Sequence, residues 1–249
     1  MSELLAGHWE LALLPPIAFA GALVFGVTGF CAALITIPLA THFVPLEFAL
    51  ALFAVSDLSM GLRVGLENPR KAVRAEWIRL VPTIVVGTAL GVTVLVNLPR
   101  QAGMLALGCF VVVYALYSLA GREATGSVGK SWAWVAGLAG GITSTLFGAG
   151  GPPYAIYLSQ RGLSKEQFRA TLGFAVLTSI SLRVTAFLVT GLLLDLRVWV
   201  TLLAVVPAAL LGIAAARRVF LRISRAALVR AVAVVLLATG GSLIARALG

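Results

Sequence analysis

Apolar residues run almost without interruption over 11–41, 46–66, 77–97 and 102–120, and again over 132–158, 168–190, 196–216 and 226–247. The connections between these stretches are short and carry most of the charge. Three stretches in each set are about 20 residues long, which as helix spans about 30 Å, the thickness of a bilayer's hydrocarbon core. The first stretch of each set is longer, about 30 residues, which is too long for one untilted crossing and too short for two. Each is interrupted by glycine: Phe147-Gly148-Ala149-Gly150-Gly151-Pro152-Pro153 in the second set, and a sparser copy, Phe25-Gly26-Val27-Thr28-Gly29-Phe30, 122 positions earlier. This pattern predicts a re-entrant hairpin in each set, two half-helices of about 14 residues that enter and leave by the same face and break at the glycines.

The two sets are related. Leu182-Arg183-Val184 repeats Leu62-Arg63-Val64 at an offset of 120, and Pro82, Gly87 and Arg100 recur as Pro207, Gly212 and Arg225 at an offset of 125. Small loop insertions after a duplication leave such a drift. The expected organisation is an N-terminal repeat over 1–121, a connecting loop over 122–131 and a C-terminal repeat over 132–249. Three full crossings per half is an odd number, so the second half is inverted relative to the first. The expected fold is an all-α integral membrane protein of two inverted repeats, each a broken re-entrant helical hairpin followed by three transmembrane helices.

Composition agrees with a membrane chain: 60% of residues are hydrophobic and 11% charged, and the mean hydropathy is +1.04. The net charge of +10 would in a soluble protein suggest nucleic acid, but no aromatic-interleaved basic patch accompanies it. The cations instead decide topology. If all eight stretches simply spanned, the basic connection at 70–79 would face away from those at 161–169 and 217–225, against the positive-inside tendency. With two re-entrant hairpins, fourteen Lys and Arg, Lys130 and Arg161 among them, share one face, against Arg100, Arg197 and Arg246 on the other. Both termini are then expected outside, in a multi-pass protein of the inner (plasma) membrane. The N-terminus lacks a basic n-region, which argues against a removable signal peptide.

Cys31, Cys109, His8 and His42 are isolated in sequence, so no metal site and no cofactor is expected, and the two cysteines read as packing residues. An intramembrane enzyme would need a nucleophile with a base, or clustered His and carboxylates, within the spans. The full spans hold one deep acid, Asp57, and no His, so the chain is read as not an enzyme. No Walker-type Gly-x-x-x-x-Gly-Lys sequence is present, so energy must come from a gradient.

The stretch from Phe147 to Arg169 combines a glycine cluster ending in Gly-Pro, then Tyr157-Leu158, a turn with Gly162-Leu163, and a helix start with Glu166 and Arg169. This pattern resembles the TauE/SafE family, the sulfite exporter or TSUP permeases, and with the length and two-half plan the resemblance covers essentially the whole chain. The first half departs from it, having fewer glycines and no proline at its motif. The resemblance implies a secondary transporter of small sulfur-containing oxyanions or organosulfonates such as sulfite or sulfoacetate. The partners are then a small anion and membrane lipid, with no nucleic acid.

Physics points to the same residues. Glycines at 148, 150 and 151 let an anion approach the backbone, and Pro152 and Pro153 suit the first turn of a half-helix, where a missing N–H costs nothing. Backbone N–H groups from Gly150 to Tyr154 and the positive end of the helix dipole would then hold the anion, with Gly151 required to be glycine. Close helix packing by small residues is the plainer alternative. Gly26, Thr28 and Gly29 are the matching candidates in the first half. Thr143, Ser144 and Thr145 are hydroxyls that either donate to substrate or bond back to their own helix.

Arg63 and Arg183 occupy equivalent positions and can grip an oxyanion through two parallel N–H bonds, although Arg63, near a helix end, can instead snorkel. For Asp57 two roles stand open, proton coupling or a structural hydrogen bond to Ser56, Ser59 or another helix. Arg63, six residues on, is not spaced to pair with it inside one helix. The leading reading is alternating access by the two halves, with a passive anion channel as the alternative and an intramembrane enzyme behind both.

Overall fold

The computed structural model describes residues 9–28, 32–120, 128–220 and 225–248, and among them every regular element is helical. A short 3-10 turn, Trp9–Leu13, leads into α1 (Leu14–Thr28), followed by α2 (Ala32–Ala40), α3 (Leu46–Gly65), α4 (Arg74–Asn97) and α5 (Arg100–Leu119). The second series is α6 (Trp132–Phe147), α7 (Gly151–Ser159), α8 (Lys165–Val189), α9 (Leu196–Phe220) and α10 (Arg225–Leu248). The helices on either side of each expected break are unequal, 15 and 9 residues for α1 and α2, 16 and 9 for α6 and α7, rather than the even lengths expected. Gly29, Phe30 and Cys31, where the first interruption was expected, and residues 121–127 of the connecting loop lie outside the described residues.

Among the described residues five helices are long and apolar enough to cross a membrane: Arg74–Asn97, Arg100–Leu119, Lys165–Val189, Leu196–Ala216 and Arg230–Leu248. Their outward sides are apolar, with Val86 and Leu90 on α4, Val113 and Leu116 on α5, Leu203 and Leu211 on α9, and Val234 on α10 all exposed. Lipid is the solvent such a surface fits. α3 differs. It is 20 residues long, carries Glu47, Asp57 and Arg63, and is largely enclosed by the others.

Small residues set the helix contacts, as they must where lipid removes the hydrophobic drive between helices. α4 lies on α6, where Gly87 packs against the Leu138 carbonyl, and α9 lies on α1, where Gly212 meets the Phe19 carbonyl. α5 and α10 cross at Gly108 and Gly240, each glycine facing the other's carbonyl, and α3 and α8 cross at Gly65 and Gly173. Every one of these contacts joins a helix before residue 128 to one after it, and exchanging the two series maps the α4–α6 contact onto the α9–α1 contact. Cys109 is exposed on α5 rather than packed as expected.

Candidate functional site

The second glycine motif ends α6 and starts α7. Gly148 adopts φ +69°, and its N–H donates to the Ser144 carbonyl at 2.9 Å while that of Ala149 donates to the Thr143 carbonyl at 3.1 Å. A left-handed glycine closing a helix in this way satisfies carbonyls that would otherwise be orphaned. Thr143 Oγ1 bridges the break by donating to the Ala149 carbonyl at 3.0 Å. A Cβ on Gly148 would stand 2.5 Å from Ile37 Cδ1 and 2.8 Å from Arg183 Nη1, so space as well as backbone demands glycine. α7 then starts with Gly150 as its cap and the two prolines in its first turn. Pro152 and Pro153 carry no N–H, so the donors of that turn are Gly150, Gly151 and Tyr154.

A small cavity opens at this break. Its wall takes Phe25 from α1, Ala32 and Ala33 from α2, and Gly148, Gly150, Gly151 and Tyr154 from the break between α6 and α7 and the start of α7. Asp57 on α3 and Ser179 on α8 complete its polar side. The free space is about 10 Å³, room for a single water.

Arg183 is fully buried beside it. Its Nη2 donates to Asp57 Oδ2 at 2.8 Å and its Nη1 to the Ser144 carbonyl at 3.0 Å. The pair therefore ties α3 to α8 and to the end of α6. Asp57 Oδ1, Arg183 Nε and Ser56 Oγ are buried with no hydrogen-bond partner among the described residues. Tyr154 lies with its ring against Gly140, and its hydroxyl donates to Ser179 Oγ at 3.1 Å.

The family model described as sulfite exporter TauE/SafE matches residues 14–243. The chain belongs to the TauE/SafE family. That is a family of membrane transporters of sulfite-type anions. No curated protein and no solved structure matches the chain.

Against this family frame the expected site residues divide. Gly148, Gly150, Gly151 and Tyr154 line the cavity, and Arg183 stands directly behind it. Arg63, its expected equivalent in the first half, is exposed and does not line the cavity. Gly26 packs against Ile213 and Ala216 of α9 and serves a helix contact. Thr28 closes α1, but its side chain, like all of Gly29, lies outside the described residues. The left-handed glycine is Gly148, not Gly151. Thr143 and Thr145 bond back to the Ala139 and Gly141 carbonyls, while Ser144 lines the cavity.

One cluster escaped the sequence reading. Glu76, buried in the first turn of α4, accepts from Arg79 Nη1 at 2.7 Å, from Arg161 Nη2 at 3.1 Å and from the Tyr157 hydroxyl. Arg161 Nη1 also donates to the Val128 carbonyl at 2.7 Å. The only signal in the sequence is a lone acid inside the basic run 70–79, whose cations point to topology as a whole. Lys71 pairs with Glu166 at 2.7 Å at the same end, and that carboxylate raises the lysine's pKa. At the other end a surface hollow of about 370 Å³ is lined by Glu10, Phe43, Pro45, Glu47, Asp195 and Arg197. There the Arg197 guanidinium holds Asp195 below the usual carboxylate range.

Proposed function

We propose that this TauE/SafE protein is a secondary transporter that carries a small sulfur oxyanion or organosulfonate by alternating access of two inverted halves, receiving it at the second glycine break. The observation that carries the reading is convergence. One buried cavity gathers the start of a half-helix, residues of both hairpins and the Asp57–Arg183 pair. Half-helix starts facing a cavity are recurrent anion sites in transporters.

The hairpin architecture is supported at both feet. Arg161 reaches the Val128 carbonyl, so the second hairpin starts and finishes at one end. Glu10 and Leu11 share a hollow with Phe43 and Pro45, so the first does likewise. The first foot adjoins Leu192 and Asp195, beyond the end of α8, and the second lies by Glu76, near the start of α8. α8 has 25 residues and is about 37 Å long, so the two feet stand on opposite sides. α3 is the remaining crossing of the first half, with Asp57 buried among its neighbours and Glu47 and Arg63 in its first and last turns.

A cavity that admits one water is shut to an oxyanion. That favours a carrier over an open pore. Binding then requires the halves to part, and Asp57 is the candidate coupling group.

The test is thermal stabilisation of purified protein by sulfite, thiosulfate, sulfoacetate and methanesulfonate, with chloride as control, since a ligand of the native state raises stability by mass action. Gly151→Val, which places a β-branched side chain at the first turn of α7, is expected to weaken binding by more than about tenfold while the protein remains monodisperse. Unaltered binding in that variant, or no stabilisation by any of these anions, overturns the site.

A further inference from the structure

We infer that Asp57 is a proton-binding site whose filling releases Arg183 to the substrate, so that one proton accompanies each singly charged oxyanion. This rests on the anion site proposed above and specifies its partner ion and the charge of its substrate.

The geometry places the acid in front of the base. Asp57 lines the cavity wall, and Arg183 reaches it only through Asp57 Oδ2 and past Gly148. An anion in the cavity therefore meets a carboxylate first. No further charged side chain among the described residues lines the space. α1 and α2 carry no ionisable residue over their described lengths, Tyr154 of α7 has its hydroxyl on Ser179, and Tyr114 of α5 and Arg197 and Arg218 of α9 stand outside the wall.

As an ion pair the site is neutral. An added monoanion would leave it with net negative charge in a low-dielectric interior, a state that burial strongly disfavours. Proton uptake removes the obstacle. The proton forms an O–H bond on the Asp57 carboxylate, Nη2 of Arg183 exchanges Oδ2 for an oxygen of the anion, and the site holds one cation and one anion as before. Arg183 Nε and Asp57 Oδ1, both buried without partners among the described residues, can then also bond the ligand. A dianion would leave one charge uncompensated, so monovalent sulfonate is preferred to sulfate.

Methanesulfonate and sulfate are suitable probes because both keep their charge between about pH 5 and about pH 8, leaving protein groups as the source of any pH effect. The Kd of the wild type for methanesulfonate is expected to rise about tenfold per pH unit where Asp57 is ionised. About one proton should be taken up per anion, read from binding enthalpies in buffers of different ionisation enthalpy. Sulfate should bind more weakly at each pH. Asp57→Asn, prepared in methanesulfonate, should bind it without pH dependence. A wild-type Kd flat in pH without proton uptake removes the coupling and leaves the anion site standing, and a pH slope retained in Asp57→Asn does the same. Absence of binding by the wild type at every pH overturns both. If Asp57→Asn does not fold, wild-type proton uptake decides.

Discussion

Among the described residues Arg183 is the largest side chain to be fully buried, and it is held by Asp57 and a helix-end carbonyl. Removing one member of a buried pair strands the other, at a cost of about 3–5 kcal/mol. Arg183→Gln should therefore destabilise strongly, and adding Asp57→Asn should recover much of the loss, which a double-mutant cycle of unfolding free energies measures. Gly148 and Gly162 separate two effects, since both have positive φ, +69° and +65°, but a Cβ at Gly162 meets nothing within 4 Å. Gly162→Ala should cost only the left-handed backbone term of about 1–2 kcal/mol. Gly148→Ala adds overlap with Ile37, Ala33 and Arg183 and should cost clearly more in the same unfolding assay. The sequence marked Asp57, Arg183 and the glycine motif, because an acid and a base deep in apolar runs are expensive. It could not pair them, since they lie 126 positions apart on different helices and the sequence pattern relates Arg183 to Arg63 instead.

At the scale of elements, the boundaries follow the apolar runs closely because each run is bounded by charge or by a helix breaker. Ser164 and Gln167 form a reciprocal cap on α8, and Pro152 and Pro153 permit α7 to start where they stand. What the pattern could not show was how the short limb α7 is anchored. Its C-terminal end is tied by Tyr157 and Arg161 to Glu76 on a helix of the other series, a contact 81 and 85 positions away in sequence. Glu76→Gln should weaken three hydrogen bonds, two of them from guanidinium groups, each worth about 1.5–3 kcal/mol when a charged group is involved. The foot of α7 should then exchange its amide hydrogens faster over Tyr157–Leu163, as hydrogen-exchange mass spectrometry would detect. Glu166→Gln is the comparison. Its pair with Lys71 is exposed on both sides, and screening by water should leave the melting temperature unchanged.

For the whole molecule, the glycine-lined contacts and the polar ties divide the work. Helices of the two series meet through small residues along their length, while the polar ties between the series concentrate at one end: Glu76 with Arg161, Lys71 with Glu166, and the Val73 N–H on Thr171 Oγ1 at 2.9 Å. The same end carries the basic connections, so the positive-inside tendency predicts that it faces the cytoplasm. The hollow lined by Glu10, Glu47 and Asp195 then faces outward. Single cysteines at positions 130 and 197, in a background with Cys31 and Cys109 changed to serine, test this in intact cells with a membrane-impermeant maleimide. Position 197 should label from outside, and position 130 only after the membrane is opened. The reverse pattern would invert the protein, placing the acidic hollow in the cytoplasm. Labelling of both positions from outside would put the foot of the second hairpin on the same side as α9's start, which is incompatible with a single full crossing by α8 and would remove the inverted-repeat architecture itself.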